Sequence, residues 1–460
     1  MTEQHADLVI LGGGSGGYAC ALRAAELGRS VVLIEKDELG GTCLHRGCIP
    51  TKALLHVAEV ADHARHGAGI GVRSELTGID MAAVNAYKDA VVGRLHKGLQ
   101  GLVASRKITL VEGRGTVVGP RTVEVGGDRH TGTHLVLATG SYPKTVPGLD
   151  VAGRVITSDQ ALSLDRVPDR AVVLGGGVIG VEFASVWASF GTEVTIVEAL
   201  PRLVPNEDAF ISTALERAFR KRRITARTGA RFAGVRQTGH GVTVTLESGE
   251  ELDADLLLVA VGRGPSTTGH GFAEAGVAME RGFVTVDERL RTSVEGVYAV
   301  GDIVAGLQLA HRGFAHGIFV AEHIAGLDPQ PLVETEIPRV TYSDPEIASV
   351  GLTEEQAKQR HGEVQTITYD LGGNGRSQIL QTAGAVKLVK AGPKGTPGPV
   401  VGVHMVGARV GELVGEAQLI VNWEAHADDV APLIHAHPTQ NEALGEAHLA
   451  LAGKPLHTHG

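Results

Sequence analysis

The chain has 460 residues with 42 Lys and Arg, 52 Asp and Glu, and a net charge of -10, so we expect no basic face for nucleic acid. Its 3 cysteines are too few for a disulfide scaffold. The N-terminus lacks a secretory pattern and no run of 18 uncharged apolar residues occurs, which predicts a cytoplasmic protein without a membrane span and with about three domains.

The first predicted unit is a nucleotide-binding one. A strand, a glycine loop, a helix and a second strand are predicted at residues 8–11, 12–17, 18–28 and 30–35. Gly12 permits the tight turn, Gly14 lets a pyrophosphate approach, and Gly17 lets the helix pack on the strand. Glu35 ends the second strand 18 residues after Gly17, where it can accept hydrogen bonds from a ribose diol. A glycine cluster that serves only helix packing is the less favoured alternative.

The same order recurs 163 residues later. The strand, loop, helix and strand fall at residues 171–174, 175–180, 181–190 and 192–198, with glycines at Gly175, Gly177 and Gly180. Glu198 again follows the last glycine by 18 residues. A carboxylate at this strand end favours NAD, because it would repel the 2′-phosphate of NADP, although Arg202 lies nearby. Two units predict two nucleotides.

A pair of cysteines follows the first unit. Cys43 and Cys48 are five residues apart, and no second pair exists to complete a zinc site, which predicts a redox pair and no metal. On one regular helix these positions lie about 8–9 Å apart, beyond disulfide reach, so we expect a distortion at Gly47. Cys20 lies among alanines and is interpreted as a packing residue.

The segment at residues 40–52 resembles the redox-active segment of the pyridine nucleotide–disulfide oxidoreductases. Within them the chain is most similar to the dihydrolipoamide dehydrogenases, especially the actinobacterial type, from residue 8 to residue 442. The segments at residues 138–141, 292–302 and 309–311 resemble the family's domain crossing, its second flavin motif and a helix aimed at the flavin. The resemblance implies FAD at the first site and NAD at the second.

The resemblance also implies which residues hold each cofactor. For FAD they are Gly12, Gly14, Gly17, Glu35, Lys36, Gly41, Thr42, Lys52, Gly115, Thr139, Gly140, Ser141, Asp302 and Ala310. For NAD they are Gly175, Gly177, Gly180, Glu198 and Gly262. Lys52 and Glu182 are expected as a pair beside the flavin.

A second chemical centre is predicted near the C-terminus. A thiol must lose its proton before it attacks a disulfide, and a neutral His held by a carboxylate suits that task. The resemblance assigns these roles to His437 and Glu442, whereas His435 is interpreted as mainly structural. It further implies that His437 acts on the cysteines of the other subunit of a homodimer.

The predicted fold class is α/β, with two Rossmann-like dinucleotide-binding domains and a C-terminal α+β interface domain. The predicted limits are 1–147 for the FAD domain, 148–275 for the NAD domain, 276–340 for a segment that completes the FAD site, and 341–460 for the interface domain. The expected activity is oxidation of dihydrolipoamide with reduction of NAD, as the flavoprotein of 2-oxo-acid dehydrogenase complexes. The expected partners are therefore a lipoyl domain and an acyltransferase.

Alternatives remain at this point. A different NAD(P)H-dependent disulfide reductase, such as a mycothione reductase, has similar central motifs, and a mainly docking or redox-sensing flavoprotein is a second class. Mercuric and large thioredoxin reductases are disfavoured because the tail has no cysteine pair, and glutathione reductase because Glu198 opposes NADP. Two positions depart from the family pattern. His316 stands where Glu is usual, so the charge near the NAD side is left undetermined by the resemblance. Arg46 stands where Asn is frequent.

Overall fold

The computed structural model describes residues 3–457 and has the predicted mixed α/β character. Its strands are β1 Glu3–Leu11, β2 Val31–Glu35, β3 Thr109–Glu112, β4 Thr116–Gly119, β5 Thr122–Val125, β6 Asp128–Leu137, β7 Ser141–Pro143, β8 Val155–Thr157, β9 Arg170–Leu174, β10 Glu193–Glu198, β11 Thr225–Thr228, β12 Phe232–Gln237, β13 Val242–Leu246, β14 Glu251–Ala254, β15 Leu256–Val259, β16 Arg263–Pro265, β17 Met279–Glu280, β18 Phe283–Val284, β19 Val297–Ala299, β20 Arg339–Thr341, β21 Glu346–Gly351, β22 Val364–Asp370, β23 Ala385–Ala391 and β24 Val400–Gly407.

The helices connect and cover these strands. They are α1 Ser15–Glu26, α2 Gly41–His45, α3 Cys48–His66, α4 Met81–Ser105, α5 Ser158–Ala161, α6 Val178–Phe190, α7 Ala209–Lys221, α8 Ala310–Ala325, α9 Glu354–His361, α10 Gly375–Ile379, α11 Val410–Asn422, α12 Ala427–Val430 and α13 Glu442–Leu451. Among residues 3–457 no helix combines the length and the apolar character that crossing a bilayer requires.

The first sheet has seven strands in the order β3-β2-β1-β6-β5-β4, with β19 beside β6. Buried Val, Leu and Ile fill β1 and β2, as expected for parallel strands covered on both faces. Because β19 pairs with β6 in parallel, the segment after residue 276 returns to the first sheet. Helix α8 packs on α1 so closely that a Cβ on Gly317 would lie 2.2 Å from the carbonyl oxygen of Gly16.

The second sheet is parallel, in the order β11-β10-β9-β15-β8, and carries the second glycine loop. The antiparallel ribbon β12-β13-β14 covers it, and β7 pairs with β16 where the chain crosses between the first two sheets. The third sheet, β20-β21-β24-β23-β22, is antiparallel and includes the strands predicted near residues 385 and 400. Its core is formed with α11 and α13. Its first strand begins at Arg339, inside the segment predicted to end at residue 340.

The cores do not follow the predicted domain limits strictly. Leu54 and Ala58 of α3, together with Met81 and Val84 of α4, belong to the core of the second sheet, where α3 packs against α6. The helix that begins at Cys48 is therefore held between the two nucleotide-binding sheets. This contact fixes the redox segment relative to the second sheet, which the linear order of motifs does not show.

Candidate functional site: a dithiol between two nucleotide cradles

The first glycine loop forms an uncapped helix N-terminus. Gly12 has φ +110, and a Cβ there would lie 2.2 Å from the carbonyl oxygen of Ala138. Gly17 lies inside the first turn of α1, and a Cβ on it would lie 1.8 Å from the carbonyl oxygen of Gly12. Helix α1 begins at Ser15, not at residue 18 as the sequence predicts, and no side chain caps it. Its free N–H groups therefore suit a pyrophosphate that approaches over Gly14.

The second loop repeats this arrangement. Gly175 has φ +113, and a Cβ there would lie 2.3 Å from the carbonyl oxygen of Ala260, while Gly180 lies against the carbonyl oxygen of Gly175. Helix α6 begins at Val178 with no side-chain cap, and nothing lies within 4 Å of the Cβ position of Gly177. The two cradles fit two dinucleotides, because each leaves open the space that a side chain would fill.

The two strand-end carboxylates also serve the loops themselves. Glu35 Oε2 accepts a 2.7 Å bond from the N–H of Gly13, and Glu198 Oε2 accepts a 2.7 Å bond from the N–H of Gly176. Each carboxylate oxygen has a second lone pair for a ribose hydroxyl. The sequence spacing of Glu35 and Glu198 predicts a contact to the ribose and does not predict these bonds to the loops.

One cavity of about 1650 Å³ joins the two cradles. The predicted residues that line it are Gly14, Thr42, Cys43, Cys48, Lys52, Gly140, Ser141, Gly175, Gly177, Glu182, Glu198, Gly262, Asp302 and Ala310. The predicted residues outside its lining are Gly12, Gly17, Glu35, Lys36, Gly41, Gly115, Thr139, Gly180, His437 and Glu442.

Most of the residues outside the lining support the cradles from behind. A Cβ on Gly41 would lie 2.7 Å from the Cα of Gly14, and one on Gly115 would meet the buried side chains of Leu11 and Val123. Thr139 donates its hydroxyl to the carbonyl of Ser266 at 2.5 Å. These positions stand next to the cradle without facing the cavity, and their assigned contacts to FAD stay predictions.

The two cysteines lie on separate helices. Cys43 is in α2 and Cys48 is the first residue of α3, with Gly47 between them at φ -149 and ψ -110, so the distortion expected at Gly47 is present. A side-chain hydrogen bond links the two thiol groups, and Ser15 also bonds Cys43. The pair faces the cavity together with the N-terminus of α1.

The two thiols differ in acidity. The hydrogen bond to Cys48, together with burial, raises the pKa of Cys43. The hydrogen bond from Cys43 and the charge of Lys52 lower the pKa of Cys48 to about 7 against the effect of burial. When the reduced pair loses one proton, the lower pKa of Cys48 places the negative charge on that sulfur. Cys48 then carries the thiolate, which is the reactive form of a cysteine.

Lys52 and Glu182 form a buried ion pair across 130 residues of sequence. Lys52 Nζ lies 2.9 Å and 2.8 Å from the two carboxylate oxygens, and Glu182 is 3 % exposed. Burial lowers the pKa of Lys52, but the charge and hydrogen bonds of Glu182 outweigh it and raise that pKa. The N–H of Tyr342 donates to Glu182 Oε1 at 2.9 Å, and Lys52 Nζ lies 4.8 Å from the centre of the Tyr342 ring. Sequence reasoning missed Tyr342.

A second polar group surrounds Asp302. The hydroxyl of Ser141 donates to Asp302 Oδ2 at 2.5 Å, and Arg263 Nε donates to that hydroxyl at 2.8 Å. Arg263 also reaches Thr42 Oγ1 at 3.4 Å and lines the cavity. Sequence reasoning missed Arg263, although its place directly after Gly262 at the end of a buried strand was a usable signal.

His437 and Glu442 form a pair far from these groups along the chain. His437 Nδ1 lies 2.7 Å from Glu442 Oε1, and the N–H of Thr439 donates to Glu442 Oε2 at 2.7 Å. Burial raises the pKa of Glu442, but these two hydrogen bonds outweigh it and lower that pKa. The His437 side chain is 77 % exposed, whereas His435 is largely buried and bonds Glu416 at 2.8 Å. Within the described chain the pair does not reach the cavity.

His316 and Arg46, the two residues that depart from the family pattern, lie in different parts of the structure. His316 is buried under the turn before Asp302, where its Nδ1 accepts the N–H of Gly301 at 3.3 Å. Burial, aided by the charge of Arg312, lowers the pKa of His316 to about 3, so it is neutral. Arg46 forms a surface ion pair with Asp37, and Cys20 is fully buried in the core as expected.

Comparison with known proteins agrees with this arrangement. Residues 6–317 match the family model of pyridine nucleotide-disulphide oxidoreductases, and residues 337–448 match the dimerisation domain of the same family. The chain belongs to the pyridine nucleotide-disulphide oxidoreductase family. It is accordingly an FAD- and NAD-dependent oxidoreductase, and its dimerisation domain supports a homodimer.

The chain is similar to several proteins over nearly its whole length. A dihydrolipoyl dehydrogenase of Bacillus subtilis is 39 % identical over 98 % of this chain and 99 % of that protein, and the mitochondrial enzyme of Pisum sativum is 39 % identical over 98 % and 92 %. The crystal structure of LpdA from Mycobacterium tuberculosis superposes with a TM-score of 0.89 at 27 % identity, over 98 % of this chain and 100 % of that one. The actinobacterial character of the resemblance stays a prediction.

Proposed function

We propose that the chain oxidises dihydrolipoamide to lipoamide and reduces NAD, with Cys43 and Cys48 as its redox pair. The observation that supports this proposal most directly is that the dithiol lies beside Lys52 in the cavity that also contains both nucleotide cradles. Relatives that are 38–39 % identical over 98 % of the chain are dihydrolipoyl dehydrogenases, which supports this substrate. The first cradle, with Gly12, Gly14 and Gly17, would hold FAD, which would supply the acceptor for the two electrons of the dithiol and the donor for NAD.

Cys43 is the proposed interchange thiol. In the oxidised pair, a substrate thiolate attacks the sulfur of Cys43, the Cys43–Cys48 bond breaks, and Cys48 leaves as a thiolate. The second substrate thiolate then attacks the substrate sulfur of the mixed disulfide, which releases lipoamide and the thiolate of Cys43. Lys52 stabilises the Cys48 thiolate, because its charge lowers the pKa of that group.

His437 is the proposed base for the substrate thiols. A neutral imidazole can accept the thiol proton, and the carboxylate of Glu442 at 2.7 Å holds one tautomer and stabilises the imidazolium. His437 is exposed and outside the cavity of its own subunit, so we assign it to the dithiol of the partner subunit. The dimerisation domain, which spans residues 337–448, contains this pair.

The first experiment measures turnover of dihydrolipoamide with NAD by the flavin-loaded protein. Cys48→Ser should abolish turnover, since no disulfide can then accept the electrons, while full activity would refute the assignment. A panel of oxidised lipoamide and mycothione with NADH and NADPH separates the proposed function from a different disulfide reductase. We expect lipoamide with NADH to react fastest.

The second experiment tests the shared site. Cys43→Ser and His437→Gln homodimers should each be inactive, but mixed subunits that reassort at random should recover about one quarter of wild-type activity. Half of such dimers are mixed, and each mixed dimer has one intact Cys43 and His437 combination. No recovery, with mixed dimers demonstrated by differential tags, would place both residues in one subunit.

We further propose that the protein acts in the cytoplasm as a component of 2-oxo-acid dehydrogenase complexes. The substrate would then be a lipoyl domain, and an acyltransferase would be the docking partner. A pull-down with a lipoyl-bearing acyltransferase tests the docking, and a free lipoyl domain serves as the control for substrate binding alone. Failure of the acyltransferase to retain the flavoprotein would remove the docking role but not the reaction.

A further inference from the structure

Three potential metal-ligand side chains converge outside the cavity, at the end of helix α2. Glu38 lies in the loop after β2, His45 is the last residue of α2, and His96 is on α4. One ligand atom of each residue lies within 4.8 Å of the ligand atoms of the other two. None of the three residues lines the cavity between the nucleotide cradles.

The separations suit a tetrahedral metal. Glu38 Oε2 lies 3.0 Å from His45 Nδ1 and 3.7 Å from His96 Nδ1. Ligands about 2.0–2.2 Å from zinc at tetrahedral angles lie roughly 3.3–3.5 Å apart. These two distances lie on both sides of that value, and the ligand atoms of His45 and His96 lie within 4.8 Å of each other. Side-chain shifts on the order of 1 Å would therefore place one ion between the three atoms.

The hydrogen bond on the far side of His45 supports a ligand role. His45 Nε2 lies 2.9 Å from the carbonyl oxygen of Leu39, which can only accept, so this nitrogen carries a proton. Metal-binding histidines usually donate their other N–H in this way, to a backbone carbonyl or a carboxylate. His45 Nδ1, the other ring nitrogen, lies 3.0 Å from Glu38 Oε2, so an ion placed between these two atoms would be held by both.

The two imidazoles are held in place by their surroundings. The side chains of His45 and His96 are only 12 % and 22 % exposed, and their rings meet edge to face at 4.8 Å. Glu38 is exposed and can rotate onto an arriving ion. One nitrogen from each imidazole, one carboxylate oxygen of Glu38 and a water molecule would give the ion four ligands.

We propose that Glu38, His45 and His96 form a site for a divalent transition-metal ion, with zinc as the probe. Nitrogen and carboxylate ligands suit this class of ion better than calcium or magnesium, which prefer oxygen alone. The ion ties three pieces of chain together: the loop after β2, helix α2 with Cys43, and helix α4. We infer that the ion would stabilise the position of helix α2, which carries Cys43, from outside the reaction cavity.

The test uses the flavin-loaded protein in its disulfide form, so that Cys43 and Cys48 cannot bind zinc. Equilibrium dialysis against micromolar zinc should give one more zinc per subunit in the wild type than in Glu38→Gln or His96→Asn. His56→Asn is the matched control, because exposed His56 contacts Glu59 at 3.3 Å and none of the three proposed ligands, and it should bind as much as the wild type.

Hydrogen exchange supplies a second measurement. Zinc should slow amide exchange in residues 36–46 of the wild type and leave it unchanged in Glu38→Gln, an exposed substitution that is compatible with folding. Equal stoichiometry in the wild type and both site variants would overturn the proposal. Extra zinc bound only at millimolar concentration would overturn it as well.

Discussion

Replacement of Lys52 by Met should raise the pKa of Cys48. Lys52 follows Cys48 by one turn of α3, and the Cβ atoms of residues at this spacing lie about 5–6 Å apart, so about 6 Å serves as the order of the charge separation. At an effective dielectric of about 20 this charge is worth about 2.8 kcal/mol to the thiolate, or about 2 pKa units. The pKa of Cys48, about 7 in the native protein, should therefore rise to about 9.

The consequence is measurable in the reduced protein. At pH 7.5 the thiolate fraction should fall from about three quarters to about 3 %, roughly a 20-fold loss of reactive thiolate. A pH titration of the thiolate-to-flavin charge-transfer band after limited NADH follows this directly. Lys52→Arg is the control, because it keeps the charge and should titrate near pH 7.

The companion variant Glu182→Gln has the opposite sign. The negative charge of Glu182 raises the pKa of Cys48, so its removal should lower that pKa below 7. Burial lowers the pKa of Lys52, but the negative charge of Cys48 raises it and the side chain is 31 % exposed, so we expect the ammonium to stay charged without the carboxylate. If Lys52→Met left the titration near pH 7, or if both variants shifted it in one direction, electrostatic control by the ion pair would be refuted.

Three further changes test other parts of the site. His437→Gln should lower turnover of dihydrolipoamide by about 10²–10⁴-fold. In stopped-flow experiments it should leave the reduction of bound flavin by NADH unchanged; slower reduction would contradict a role confined to the substrate thiols. Gly175→Ala should lower the melting temperature, because the added Cβ would lie 2.3 Å from a carbonyl oxygen. Gly177→Ala has open space around its Cβ and should only weaken NAD binding, so equal melting temperatures of the two variants would contradict the predicted clash. Glu198→Ala should raise kcat/KM for NADPH relative to NADH by about tenfold or more, and an unchanged ratio would show that the carboxylate serves only the loop.

The nucleotide cradles could be predicted from sequence because their chemistry is local. A tight turn, a close approach and a helix contact each demand a glycine at a fixed offset, as at Gly12 and Gly175. Helix starts were placed three residues late in both units, since the third glycine lies within the helix and not before it. The interruption of the redox helix was also predictable, because disulfide reach conflicts with regular helix geometry.

Contacts across long sequence separations could not be derived in this way. Lys52 and Glu182 were paired only through the family resemblance, since nothing in their local sequence points from one to the other. Tyr342 and Arg263 were missed because their roles arise from tertiary packing at the cavity. The position of His316 under Gly301 depends on the helix α8 packing against the first sheet, and no local pattern predicts that partner.

The carboxylate of Glu182 joins three distant parts of the chain at one point. It binds Lys52 from the redox helix and the N–H of Tyr342 from the start of the third sheet, while it belongs to the helix of the second cradle. Because the charge of Lys52 adds to the hydrogen bond from Cys43 in lowering the pKa of Cys48, the acidity of the dithiol depends in part on the packing of these three parts. A substitution that loosens the third sheet from this contact should therefore shift the Cys48 titration without touching the cysteines.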